Sequence, residues 1–216
     1  MKRLFTFLFL LVSVACRSQS DTVIVLHAAY ERHSIIATAS AGIADGFRNN
    51  YSLPPGFEKN NTSGFAPFFA KLEYGFYDRI SIAATFGYDA FYYNYKQEYT
   101  GNNGPFTRYR TDDTRIFSGG ITAFYHLGNV IRIKHLDPFI GVGLVLSNIR
   151  YSSFPQDDTT ATKFDHIVTP YLKAGARYYI SSYFSLFGDI GYDKQATLSL
   201  GVSCRFLRKQ KAISTK

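Results

Sequence analysis

Seven ionisable side chains fall on one phase of segments that alternate apolar and polar residues: Lys71, Glu73, Asp89, Lys173, Arg177, Asp189 and Arg205. Four are cations and three are anions. The chemistry open to them is ion pairing, proton relay or the gating of a polar lumen. An unpaired charge out of water is costly and a paired one is tolerable. The pattern therefore predicts an interior salt-bridge network that plugs a lumen, with a gate or proton path as the sharper alternative. Asp189 and Lys173 come out at similar heights across one hairpin. Glu73, Arg177 and Arg205 share the lower half.

Hydrolytic and metal chemistry find less support. The histidines are His27, His33, His126, His135 and His166. A hydrolase acting at a lipid surface needs a His and a Ser two positions apart on one face of a strand, plus a carboxylate. His33 and Ser34 are adjacent and so point to opposite faces. His166 has no Ser two positions away, His126 takes the inward phase, and His27 and His135 lie outside the strands. No His-Glu-x-x-His run occurs. After removal of the leader described below, Cys204 is the single cysteine, which excludes an intramolecular disulfide and a multi-cysteine metal site. It falls on the outward phase, where it reads as apolar filler. No catalytic, metal or cofactor-binding residue is assigned, no cofactor is implied, and the chain is expected not to be an enzyme.

The elements that must position the charges are strands. In Ile80-Ser-Ile-Ala-Ala-Thr-Phe-Gly-Tyr-Asp89, Ile80, Ile82, Ala84, Phe86 and Tyr88 share one face, and small or charged residues share the other. A strand with one face fit for lipid and one for polar groups is the mark of a transmembrane β-barrel wall. Eight such segments are predicted, at about 34–47, 64–77, 80–99, 114–127, 138–151, 166–180, 183–192 and 196–206. Connections alternate long and short: 48–63, 100–113 and 152–165 are long, 78–79 and 181–182 are tight, and the one near 193–195 is brief. Short turns belong to the periplasmic end and long loops to the outside. Two aromatic girdles are expected, one with Phe76, Tyr77, Tyr125, Tyr178, Tyr179, Tyr183 and Phe206, the other with Tyr92, Tyr95, Phe117, Tyr151, Tyr171 and Tyr192.

The chain opens with a basic Met1-Lys2-Arg3, an apolar run from Leu4 to Ala15 and small residues before Gln19. Residues 1–18 read as a secretory signal peptide, too short to span a membrane as a helix. Ser13-Val-Ala-Cys16 loosely resembles a lipoprotein box, which leaves lipidation of Cys16 as the alternative. Loss of Lys2, Arg3 and Arg17 takes the formal net charge from +8 to +5. The mature chain suits one domain: residues 19–33 form a periplasmic N-terminal segment, 34–206 the barrel and 207–216 a basic periplasmic tail. Basic clusters sit at strand ends, among them Arg132 and Lys134, without the basic, aromatic-interleaved face that nucleic-acid binding requires.

Leu136-Asp-Pro-Phe-Ile-Gly-Val-Gly143, Gly175-Ala-Arg-Tyr-Tyr-Ile180, Ser185-Leu-Phe-Gly-Asp-Ile-Gly-Tyr192 and the closing Leu200-Gly-Val-Ser-Cys-Arg-Phe206 carry a resemblance. With them the chain resembles the porin-like, OmpA/OmpX-type family of small outer-membrane β-barrels of Gram-negative bacteria. The resemblance implies an all-β, eight-stranded antiparallel up-and-down barrel in the outer membrane. It implies contact with outer-membrane lipid, and with the assembly machinery through a C-terminal signal that includes Gly201 and Phe206. Leu207 to Lys216 depart from it, because members often stop at the terminal aromatic.

An eight-stranded barrel is just wide enough for its side chains to fill. A structural or surface-interaction role is the expectation, with the loops at 48–63 and 100–113 as contact surfaces for a partner. The alternatives are a conduit for small molecules, opening sideways where Gly119, Gly120, Gly141 and Gly143 could kink the wall, and a lipid A-modifying enzyme. The rival fold is a soluble β-sandwich with a second sheet covering the apolar faces.

Overall fold

The computed structural model describes residues 30, 32–43, 57–101, 104–128, 130, 131, 133, 135–155 and 161–206. The signal peptide, Cys16, Arg132, Lys134 and the basic tail lie outside the described residues. The strands are β1 (Ile35–Ile43), β2 (Glu58–Gly64), β3 (Phe68–Gly75), β4 (Ile80–Gly101), β5 (Gly104–His126), β6 (Leu136–Pro155), β7 (Ala161–Tyr179), β8 (Phe184–Tyr192) and β9 (Leu198–Phe206). All pairings are antiparallel and follow chain order, β3 to β4 to β5 and on to β9. β9 then pairs with β1, and β1 with β3, which closes an eight-stranded ring. Closure removes the sheet edges that would otherwise present unpaired backbone groups.

β2 adds no ninth stave. It pairs with β4 from Phe91 to Lys96, directly above the stretch that β3 pairs with, so β2 and β3 form one stave interrupted at 65–67. Pro67 has no amide hydrogen to give a ladder, which suits it to that interruption.

The period-2 alternation sorts the side chains as the sequence predicts. Thr38, Lys71, Glu73, Asp89, Thr122, Lys173, Arg177 and Asp189 are buried inside, while Leu72, Ile82, Phe86, Ile121, Leu144, Val168 and Ile190 stand exposed outside. Each exposed aliphatic of this size forgoes roughly 1.5–3 kcal/mol when left in water. A sandwich would cover them with a second sheet. Here one sheet closes on itself, so the expected barrel is found, the rival sandwich is not, and the belt is left facing outward.

The tight turns form as expected. Phe76 and Tyr77 amides both donate to the Ile80 carbonyl at 3.0 Å. Ser181 Oγ accepts from the amides of Tyr183 and Phe184 at 3.3 and 3.1 Å. Asp193 Oδ1 accepts from the amides of Gln195 and Ala196 at 2.9 and 2.8 Å, closing the short β8–β9 connection.

The long connections differ from expectation. Residues 58–63 and 104–113, expected as loop, are strand, and β6 and β7 run on through much of 152–165. Cross-strand pairing makes the difference: Tyr95 meets Arg110 and Lys96 meets Arg108's neighbour Tyr109, up to Gly101 opposite Gly104. A membrane-spanning strand needs about 9–11 residues. β1, β8 and β9 have 9 each, whereas β4 and β5 have 22 and 23. One side of the wall, β4 to β7, therefore projects well beyond the belt at the end opposite the chain termini of the barrel.

The seam between β9 and β1 depends on close approach. A Cβ at Gly201 would lie 2.1 Å from the Ala39 carbonyl oxygen and 2.6 Å from Ser40 Cα. Both are backbone atoms and cannot rotate away. Gly201→Ala is therefore expected to lower barrel stability by about 1–3 kcal/mol, read as a lower urea midpoint in heat-modifiable gel migration. Gly120→Ala, which meets the Leu144 oxygen at 2.4 Å, provides the same test away from the seam.

Candidate functional site: the charged interior

The inward phases of β3, β4, β5, β6 and β7 bring Glu73, Ser81, His126, Asp137 and Arg177 together near the end that holds the termini. The Arg177 guanidinium pairs with both Glu73 oxygens, and its Nη1 reaches Asp137 Oδ2 at 3.4 Å. His126 stands between the same two carboxylates. Its Nδ1 lies 2.9 Å from Asp137 Oδ1 and its Nε2 3.1 Å from Glu73 Oε1. Carboxylates accept and do not donate, so this placement of both ring nitrogens favours the imidazolium form of His126. The cluster then holds two cations and two anions.

Ser81, His126 and Asp137 stand in the order of a hydrolytic triad, with Ser81 Oγ 3.0 Å from His126 Nε2. An imidazolium cannot take the serine proton, and Ser81 donates instead to Glu73 Oε1 at 2.7 Å. All three side chains are sealed from solvent, at 2 % exposure or less. The geometry is that of an ion cluster, with no base left to activate a nucleophile.

Tyr30 stoppers this cluster. Its ring stacks on His126 with centroids 3.7 Å apart, and its hydroxyl donates to the Ile80 carbonyl at 2.9 Å. Burial, with Glu73 and Asp137 close by, pushes the Tyr30 phenol far above its ordinary value, so it stays a neutral donor.

A second cluster lies higher. Lys71 Nζ meets Asp189 Oδ2 at 2.6 Å and donates to Tyr171 Oη at 3.0 Å. Lys173 Nζ reaches Asp193 Oδ2 at 2.6 Å, Asp189 Oδ1 at 3.4 Å and Ser199 Oγ at 3.2 Å. Again two cations meet two anions.

Between the clusters lies an aromatic layer of Phe124, Phe139, Tyr171 and Phe187. Phe139 and Phe187 stack at 5.8 Å, and Phe124 meets Phe139 edge-on at 5.4 Å. Lys71 stands 4.5 Å from the Phe187 centroid on one side, and Arg177 4.9 Å from Phe139 on the other, so cation–π attraction ties both clusters to the layer. Gly141 and Gly175 make room for it: a Cβ there would lie 2.5 Å from Phe124 and 2.6 Å from Phe139. A further aromatic group, Phe91, Tyr93 and Tyr95 with Ile116 and Ile149, fills the projecting part.

The seven sequence-assigned charges are all buried, but they do not form one network. Lys71, Lys173 and Asp189 meet in the upper cluster, and Glu73 and Arg177 in the lower. Asp89 is buried on β4, across from Ile116. Arg205 sits at the lower rim, donating to the Ser182 carbonyl from Nε at 3.1 Å and lying 4.5 Å over the Tyr179 ring. The sequence reading missed Asp137, Asp193 and Tyr30 as members. Asp137 carried a signal, because it continues the inward phase of Phe139 and Gly141 one step before the expected strand start. Of the expected assembly residues, Gly201 faces in against β1, and Phe206 ends β9 opposite Ile35. Tyr95, Tyr171 and Tyr179, expected in the girdles, are buried inside, because strand phase outranks residue type. Cys204 keeps the expected outward phase, between the inward Ser203 and Arg205, and is buried there. Pairing runs unbroken through Gly119, Gly120, Gly141 and Gly143, so these residues do not kink the wall.

A closed eight-stranded ring, polar and filled inside and apolar outside, decides the architecture. The chain has the fold of the small outer-membrane β-barrels. No protein-family profile and no curated protein matches the sequence. Among solved structures, the N-terminal β-barrel domain of Pseudomonas aeruginosa OprF is similar at 18 % identity and TM-score 0.44, covering 81 % of this chain and 98 % of its own. The attachment invasion locus protein Ail of Yersinia pestis is 12 % identical, with TM-score 0.44 and coverage of 82 % and 100 %. The Pseudomonas aeruginosa outer membrane protein OprG is 11 % identical, with TM-score 0.43 and coverage of 82 % and 97 %. The barrel differs from a minimal ring by its lopsided height, with β4 to β7 carrying its projecting wall.

Proposed function

We propose that this protein is an occluded barrel of the bacterial outer membrane, exported and shorn of its leader, that acts through its projecting end and not through its lumen. The observation that carries the reading is the filled interior: two charge-balanced clusters clamp an aromatic layer across the barrel axis, and Tyr30 covers the lower one. Buried Phe139 and Phe187, stacked at the level between the clusters, close the lumen to water and solutes in this reading. The projecting wall of β4 to β7 offers exposed Phe106, Tyr109 and Phe164 beside charged Glu98 and Lys163, a mixture that suits contact with a partner surface.

Two measurements test it. In planar bilayers the wild-type barrel is expected to give no discrete conductance steps; regular open-channel steps would overturn the occluded reading and favour a conduit. On intact cells, a membrane-impermeant thiol reagent is expected to label Thr107→Cys, since residue 107 lies at the projecting tip. The native Cys204 is 4 % exposed and gives a low background. Labelling only after cell disruption would overturn the orientation.

A further inference from the structure

On the outer face, Tyr88 of β4 and Phe117 of β5 stand opposite each other with ring centroids 4.8 Å apart. Their row continues through exposed Asn148 and His166, one row above exposed Leu146 and Val168, which end the aliphatic belt on this side. The next outward row is Ala90, Arg115, Arg150 and Phe164, in register across β4 to β7. Arg115 and Arg150 are thus direct cross-strand neighbours, and both are exposed. Like charges placed directly opposite destabilise a sheet. Asp113 answers Arg115, with Oδ2 3.0 Å from its Nε and 2.9 Å from its Nη2. Arg150 makes no ion pair with any described residue; its guanidinium stands 5.9 Å from the Phe164 centroid.

We propose that Arg115 and Arg150 form a site for the phosphate-bearing headgroup of a membrane lipid. Two residues along a strand is about 6.8 Å, which sets the guanidinium groups just beyond the aromatic row, at headgroup depth. A phosphate between them answers the unpaired cation, relieves the repulsion across the strands, and matches the planar guanidinium fork. Tyr88 and Phe117 lie directly below Ala90 and Arg115, Asn148 and His166 lie below Arg150 and Phe164, and Leu146 and Val168 follow one row lower, where acyl chains of the same molecule pack. A free phosphate would use the two arginines alone, so the apolar surface beneath them points to a lipid.

The inference rests on the lipid-facing reading of the belt, and the experiment separates the two. The mature barrel is inserted into vesicles of phosphatidylcholine with a minor fraction of phosphatidylglycerol, released intact and weighed with its retained lipids by native mass spectrometry. Wild type is expected to retain phosphatidylglycerol above its bulk fraction. Arg150→Gln leaves the Arg115–Asp113 pair in place and is expected to reduce that enrichment roughly tenfold, with heat-modifiable migration unchanged. Equal enrichment in the variant overturns the site. Full displacement by excess inorganic phosphate also overturns it, since that marks a free-anion site. Insertion without enrichment overturns this inference alone, whereas failure to insert into phosphatidylcholine overturns the membrane reading as well.

Discussion

The Arg177→Met barrel is expected to unfold at a much lower urea concentration than wild type, a loss of about 3–5 kcal/mol. Arg177 is fully buried and is shared by Glu73 and Asp137. Its removal leaves two buried carboxylates facing one imidazolium, and an uncompensated anion in a dry interior is the costly case. Methionine keeps most of the volume over Phe139, so the loss reports charge more than packing. The check is urea-driven unfolding in lipid vesicles, followed by heat-modifiable migration. Arg177→Met with Glu73→Gln leaves His126 and Asp137 as a balanced pair, and is expected to recover more than half of the loss. A double variant no more stable than the single one would show that Arg177 works through packing and not through charge balance.

Asp189→Ala is expected to cost a similar amount, about 3–5 kcal/mol, for the opposite reason. Asp189 is the carboxylate between Lys71 and Lys173. Lys173 keeps Asp193, but Lys71 is left only with the Tyr171 hydroxyl and three aromatic faces, at 5 % exposure. Pairing the change with Lys71→Met restores charge balance and is expected to restore most of the stability. The same double variant separates plug from gate. If the aromatic layer closes the lumen, conductance in planar bilayers stays at the wild-type baseline even with the Lys71–Asp189 pair gone. Open-channel steps in the double variant alone would make that pair the gate.

Both predictions grow from features of different legibility. The strand phases were readable from the order of residues alone, because lipid on one side and a filled lumen on the other impose a period of two that neither a helix nor a loop reproduces. Lys71, Glu73, Lys173, Arg177 and Asp189 could be placed inside on that basis, and so could the tight turns at 78–79 and 181–182. The long connections could not. Residues 58–63 and 104–113 are polar and rich in turn formers, and they are strands because the first pairs with β4 and the second continues a run of 22 consecutive β4–β5 pairs, an energy that resides in the pairing and not in any one segment.

Alternation in the chain, then, determined by itself which face each side chain takes, since that follows from backbone geometry one residue at a time. Which charge meets which was decided only by closure of the ring. Lys71 and Asp189 are 118 positions apart, and Arg177 and Glu73 104. Their heights along the axis depend on the register of every strand pair between them. The tertiary structure likewise decided that the interior charge divides into two neutral clusters around an aromatic layer, because Phe139 and Phe187 occupy the level that separates them.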